Sequence, residues 1–153
     1  MQATVTGHPS GRTLGQASVG TERVALRRLA WVAPLAVLGA TLANEVARRL
    51  LLGILPPINP DFVALEAQSV AFMTVVCGVA AVAVFAAVAR LSLQPIRTYQ
   101  IVAVVALVMS LLPDLMLLQD PTATAGAVIT LMLLHVVAAA AIVWPLSTLT
   151  RAE

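Results

Sequence analysis

Four long apolar runs alternate with short polar breaks that carry proline. The runs extend from about Leu29 to Leu52, Ala67 to Ala89, Thr98 to Leu118 and Ala123 to Leu146. At 1.5 Å per residue, ~24 residues reach about 36 Å, enough to cross a ~30 Å hydrocarbon core with some tilt. Polar positions inside the runs are too few for the amphipathic stripe of a soluble bundle. No polar chain remains that could cover four buried helices of a larger soluble protein. The pattern therefore predicts an all-α fold, a four-transmembrane-helix bundle.

The breaks set the expected boundaries. Pro56-Pro57-Ile58-Asn59-Pro60 stops helix one and forms a tight loop. Asn59 then reads as an N-cap, with Pro60 at the first helical position and Asp61 behind it. Arg90 ends helix two, and Ser92, Gln94 and Pro95 make the next turn. Asp120-Pro121 repeats the cap-then-proline signal before helix four. With their caps the helices are expected at about 29–52, 60–89, 96–118 and 122–146, inside a membrane domain over 29–149. Pro34 falls in the first turns of helix one, where a missing N–H costs least, and Pro145 lies near the end of helix four. Pro113 lies inside helix three and deprives the Met109 carbonyl of its usual partner, so a kink is expected there.

Composition strengthens this picture. The 153 residues are 60% hydrophobic and only 10% charged, against about 25% charged in a soluble domain. Residues 1–28 are polar and rich in Gly, Ser and Thr, and are expected to form a mostly disordered N-terminal tail whose last turns, from Thr21 onward, can join the first helix. Leu29 to Ala40 could act as a signal-peptide core cleaved after Ala43. The region before it is long, however, and the apolar run resumes after Arg49, so a retained helix is expected. The single cysteine, Cys77, excludes an intramolecular disulfide and a CxxC pair and reads as a small hydrophobe.

All nine basic residues are arginines, and the formal net charge is +2. They flank apolar runs, which fits membrane orientation rather than nucleic-acid binding. Arg12, Arg23, Arg27, Arg28, Arg90, Arg97 and Arg151 share one side, which the positive-inside rule makes cytoplasmic. Asp61 and Asp120 lie in the opposite loops, and Arg48 and Arg49 sit at the outer end of helix one against the rule. A multi-pass protein of the cell membrane with both termini in the cytoplasm is expected.

Polar side chains in hydrocarbon are costly and each invites an explanation. Thr41, Asn44, Glu45 and Arg48 recur at helical spacing on helix one, and Glu45 can reach Arg48 or Arg49. Glu66, Ser69, Met73 and Cys77 share a face of helix two, with Glu66 early enough for the headgroup region. Ser110 and Asp114 share a face of helix three with Ala103 and Ala106, small residues that suit close packing. His135 lies near the middle of helix four and needs a partner, for which Ser110, Asp114 and Glu45 are the candidates. By depth, Asn44, Glu45, Arg48, Ser110, Asp114 and His135 could together line a polar pocket opening outward. No metal-spaced His/Cys set, HExxH, GxSxG, P-loop or dinucleotide glycine motif is present, so neither a metal nor a cofactor is implied.

Asn44 late in helix one, the short proline-bearing loop, SLLPDL over Ser110–Leu115 and LMLLHVVAA over Leu131–Ala139 resemble a group of small bacterial four-helix membrane proteins known as a domain of unknown function. The resemblance covers about Leu29 to Leu149. It implies the four-helix architecture and brings no activity or site with it.

Short loops and small-residue stripes favour a non-enzymatic integral membrane protein: a binding, accessory or assembly subunit. The alternative is a small transporter or proton-coupled carrier that uses Glu45, Asp114 and His135 and needs a dimer to wall its path. An enzyme with His135 as acid/base lacks a second catalytic motif. The lipid bilayer is the expected partner, with a homo-oligomer or larger membrane complex beside it and no nucleic acid.

Overall fold

A computed structural model describes residues 25–55, 59 and 62–151 of the protein. Residues 1–24 of the tail, with Arg12 and Arg23, and Pro56, Pro57, Ile58, Pro60 and Asp61 of the first loop, and the readings placed on them, lie outside the described residues. The elements run α1 (Leu26–Ile54), a 3₁₀ turn (Val63–Leu65), α2 (Ala67–Leu91), α3 (Pro95–Met116), a second 3₁₀ turn (Leu117–Gln119) and α4 (Ala125–Leu149). Each of the four helices is long and apolar enough to cross a membrane. Lipid offers no partner to a backbone N–H or C=O, so a helix, which satisfies both internally, is the form such runs must take.

Three helix starts lie three residues or more from where the local signals put them, each because a distant contact or a neighbouring side chain decides it. α1 begins at Leu26 rather than Leu29, because the Ala25 amide donates to the Thr150 carbonyl at 2.9 Å. Arg28 adds a bond from Nη1 to the Arg151 carbonyl at 3.0 Å. This early start leaves Pro34 inside the helix rather than in its first turns. α2 begins at Ala67, well after Asn59. The Phe62 amide instead donates to the Asn59 carbonyl at 3.0 Å, and the 3₁₀ turn that follows buries Phe62 and Leu65. At α4 the cap is Thr124, whose side chain accepts from the Ala127 amide at 3.1 Å. Asp120 shapes the loop instead, its Oδ1 accepting from the Thr122 amide at 2.8 Å and hydroxyl at 2.7 Å. Pro95 does open α3, where its missing N–H needs no partner.

The helices run up and down around a ring, α1 between α4 and α2, and α3 closing the circle. The α1–α4 seam is the most extensive and the α2–α3 seam the thinnest of the four. Van der Waals packing must hold such a bundle, since lipid is as apolar as the helix faces. On α1 the buried stripe is Leu29, Val32, Ala36 and Ala40, and the alanines let α4 approach with Ile142 and Leu146. Phe85 and Tyr99 meet edge to face in the same cluster, with ring centroids 4.8 Å apart. A second cluster at the far end joins Phe62 and Leu65 to Val70, Ala127, Leu131 and Leu134.

Charge separates along the bundle axis. The exposed Arg27, Arg28, Arg90, Arg97 and Arg151 mark the end that holds the start of α1, the α2–α3 turn and the end of α4. Arg48 and Arg49 lie toward the opposite end, near the 3₁₀ turns.

At Gly78 of α2 the backbone packs directly against side chains of α1 and α4. A Cβ there would meet the Val37 methyls at 3.1 and 3.3 Å and Ile142 Cδ1 at 3.4 Å. Val37 is β-branched and has little rotamer freedom to withdraw. Gly78→Leu is therefore expected to destabilise the bundle by about 1–3 kcal/mol, the usual cost of overpacking, read as a lower unfolding midpoint in detergent. Gly78→Ala should cost less, because its single methyl is offset in part by better helix propensity.

The Thr122 hydroxyl and then its amide hold the half-buried Asp120 carboxyl below the ordinary carboxylate range. A folded pKa below the unfolded one means that the turn's extra stability is present above the ordinary value. It is lost as pH falls through the folded value. Hydrogen exchange at the Thr122 amide should therefore stay slow from neutral pH down past the ordinary range and then accelerate, and Asp120→Asn should flatten that profile.

Candidate functional site

Where the α2–α3 seam is thin, a cleft of about 450 Å³ opens between these helices, with α4 as its back wall and Asn44 of α1 at its side. α2 contributes Ser69, Val70, Met73, Thr74 and Cys77; α3 contributes Ser110, Pro113 and Asp114; α4 contributes Leu131, Leu134, His135 and Ala138. Most of the wall is apolar. Met73, Cys77 and Pro113 are also exposed on the bundle surface, so the cleft opens laterally between α2 and α3. Pro113 leaves the Met109 carbonyl without its helical donor beside this opening.

The polar side chains fall into two groups. In the first, each side chain donates a hydrogen within the protein itself. Thr74 Oγ1 donates to the Val70 carbonyl at 2.7 Å, and Ser110 Oγ donates to the Leu107 carbonyl at 2.7 Å. Asn44 Nδ2 donates to Thr74 Oγ1 at 2.9 Å, tying α1 to α2. Thr41, beside them on α1, donates to the Val37 carbonyl at 2.9 Å. In the second group are acceptors. Asn44 Oδ1 and Asp114 Oδ2 are buried without a hydrogen-bond partner. His135 Nδ1 lies 2.9 Å from the Leu131 carbonyl and 3.1 Å from Asp114 Oδ2. Both neighbours are oxygens, so the proton of a neutral imidazole belongs on Nδ1, and Nε2 then carries a lone pair. The hydrogen points to Leu131, which is why Asp114 Oδ2 stands close to Nδ1 yet receives no hydrogen bond.

Glu45 and Arg48 do not line the cleft. Arg48 grips both Glu45 oxygens, from Nε at 2.8 Å and Nη2 at 2.9 Å, and its Nη1 reaches the Leu65 carbonyl at 3.2 Å. Arg49 Nε adds a 2.7 Å bond to Glu45 Oε1. This bidentate pair, a strong geometry, fastens the first 3₁₀ turn to α1. Its two guanidiniums serve one carboxylate and one carbonyl, and Arg49 points outward with its side chain 75% exposed. The reason for the split is angular: consecutive residues on a helix differ by about 100°, so Asn44 turns inward and Glu45 turns to its own arginines.

Of the six residues expected together, Asn44, Ser110, Asp114 and His135 share the cleft, whereas Glu45 and Arg48 form the neighbouring staple. Ser69, Met73 and Cys77 also line it, as the shared face of helix two suggested, but Glu66 is exposed at the start of α2. On α3 the face toward the bundle runs through Tyr99, Ala103, Leu107, Ser110 and Asp114, while Ala106 is exposed. Thr74 escaped the sequence reading. The available signal was its four-residue spacing from Val70, which lets a threonine hydroxyl bond back to its own helix, a pattern common to many threonines here.

Among the described residues, no three His, Cys, Asp or Glu side chains gather closely enough to hold a metal ion. The cleft instead offers apolar walls and a few acceptors. It can enclose an apolar body and orient one polar group.

No curated protein and no solved structure matches the chain. The sequence profile of a family of unknown function covers residues 21–152, a span that includes all four helices. The chain belongs to that family, the family of unknown function DUF6069.

Proposed function

We propose that this is a non-enzymatic membrane protein that binds one small molecule, taken from the bilayer, in the cleft between α2, α3 and α4. The observation that carries the reading is the cleft itself: about 450 Å³ of largely apolar wall that includes two residues with buried, unpartnered acceptors. Ligand sites commonly have that volume, with a few polar groups fixing orientation. The lateral opening favours a molecule arriving from lipid. A binding or accessory role within a larger membrane complex is compatible with the same cleft.

Asp114 beside His135 at membrane depth favours a second reading, a proton-coupled carrier, because ionisable pairs there often relay protons. Glu45 is a poor member of such a relay, since two arginines already occupy its oxygens. We also propose that both termini face the cytoplasm, on the strength of five exposed arginines at that end of the bundle against two at the other.

Protein extracted in mild detergent is expected to retain a small molecule visible by native mass spectrometry, and Ala138→Trp, which fills the back wall, should release it. Loss of the molecule from the wild type alone, or its retention in Ala138→Trp, would overturn the binding reading. In proteoliposomes under an imposed pH gradient, proton uptake should match that of protein-free vesicles. Uptake that disappears in His135→Ala would establish the carrier instead. A reporter enzyme that works only in the cytoplasm, fused after Glu153, should be active; an inactive fusion of normal abundance would reverse the orientation.

A further inference from the structure

We infer that the cleft is built for a lipophilic primary amine, held as its ammonium by Asp114 and Asn44. This inference rests on the cleft being a ligand site and adds the chemistry of the ligand. Three observations lead to it.

The first is a mismatch between donors and acceptors. Thr74 and Ser110 give their hydroxyl hydrogens to carbonyls of their own helices, and the Asn44 amide nitrogen gives one to Thr74. The buried cleft atoms without a hydrogen-bond partner are both acceptors, Asn44 Oδ1 and Asp114 Oδ2. Asn44 is only 3% exposed and Asp114 only 6%. Leaving such groups unpaired is costly in a low-dielectric interior, and both ask a ligand for hydrogens. An ammonium carries three and no acceptor.

The second is charge. Asp114 contributes its carboxyl group to the wall, and the arginines of α1 are not available to it. Arg48 is held by both Glu45 oxygens and the Leu65 carbonyl, and Arg49 by Glu45. His135 Nδ1 stands 3.1 Å from Asp114 Oδ2 but also lies 2.9 Å from the Leu131 carbonyl, which a neutral ring serves with its Nδ1 hydrogen. A cationic guest therefore meets two unpartnered acceptors, whereas an anionic one meets a carboxylate with no arginine on the wall. The same argument disfavours an aminophospholipid, whose phosphate would follow its amine toward the same acceptors.

The third is shape. About 450 Å³ of mostly apolar wall between α2 and α3 fits a compact hydrocarbon body, while a two-tailed lipid would extend far outside it. The exposed Met73 and Cys77 at the opening let such a body enter sideways.

The test compares four probes that share one aromatic body. Naphthylmethylamine, its trimethylammonium derivative, naphthylmethanol and naphthylacetic acid are titrated by fluorescence against full-length protein in phosphatidylcholine nanodiscs, with empty nanodiscs subtracted. The primary amine should bind saturably and at least tenfold tighter than each of the others, a difference of ~1.4 kcal/mol. The trimethylammonium probe is the decisive control, having the charge but no hydrogen to give. Asp114→Asn should abolish the preference for the amine over the alcohol, and Ser147→Ala, remote from the cleft, should leave it unchanged. Because the probe series is read on the wild type, misfolding of a variant cannot decide the outcome. Equal binding of all four probes would overturn the amine inference while keeping the cleft as a ligand site. Saturable binding of none of them would overturn both. Displacement of the amine by sodium but not by choline at equal ionic strength would assign the acceptors to an inorganic cation and overturn the inference.

Discussion

Inside hydrocarbon a polar group must find its partner within the protein, and that constraint organises this bundle. The backbone meets it by forming helices. The hydroxyls meet it by turning back on their own helices: Thr41, Thr74, Thr130, Thr148 and Thr150 each donate to the carbonyl four residues earlier, and Ser110 to the one three residues earlier. Glu45 meets it through two arginines. Against this background the exceptions stand out. Among the described residues, four buried side-chain atoms lack a partner, namely Asn44 Oδ1, Asp114 Oδ2, Tyr99 Oη and Ser147 Oγ. The first two belong to the wall of one cleft, and the other two lie outside it.

Packing explains why a cleft exists there. α1 and α4 interlock through alanines and buried aliphatics, and Gly78 draws α2 onto α1 at Val37. Close contact on one side of the ring leaves α3 more loosely held, and its outward face is a run of exposed valines and leucines suited to lipid. The Phe85–Tyr99 contact secures the arginine-rich end of α3. Toward the other end, Pro113 interrupts the hydrogen-bond ladder of α3 and a 3₁₀ turn ends it, where Asp114 meets His135 of α4. The same helices thus give a tight end for anchoring and a looser end with polar walls.

Much of the site was legible because helical phase is simple arithmetic. Ser69, Met73 and Cys77 recur at steps of four, as do Ser110 and Asp114, and such steps keep side chains on one face. Phase alone did not say which of the adjacent Asn44 and Glu45 would face inward, since both sit on a broad polar stripe of α1. Thr74 was hidden for a related reason: one residue from Met73, it turns toward α1, and only Asn44 gives that turn a meaning.

The sequence by itself determined that there are four membrane-length helices, because apolar runs of this length leave the backbone no other way to satisfy its hydrogen bonds. It also located the start of α3, since proline at a first helical position needs no donor. Tertiary structure decided where α1, α2 and α4 begin. Asn59-Pro60 and Asp120-Pro121 are local signals that serve loops as well as helices. The outcome turned on burial of Phe62 and Leu65, on the bond from Ala25 to Thr150, and on the Thr124 cap. Tertiary structure also separated the Glu45–Arg48 staple from the Asn44–Asp114–His135 cleft. That separation depends on which neighbour reaches each polar atom first, and the neighbour is supplied by packing between helices rather than by spacing within one.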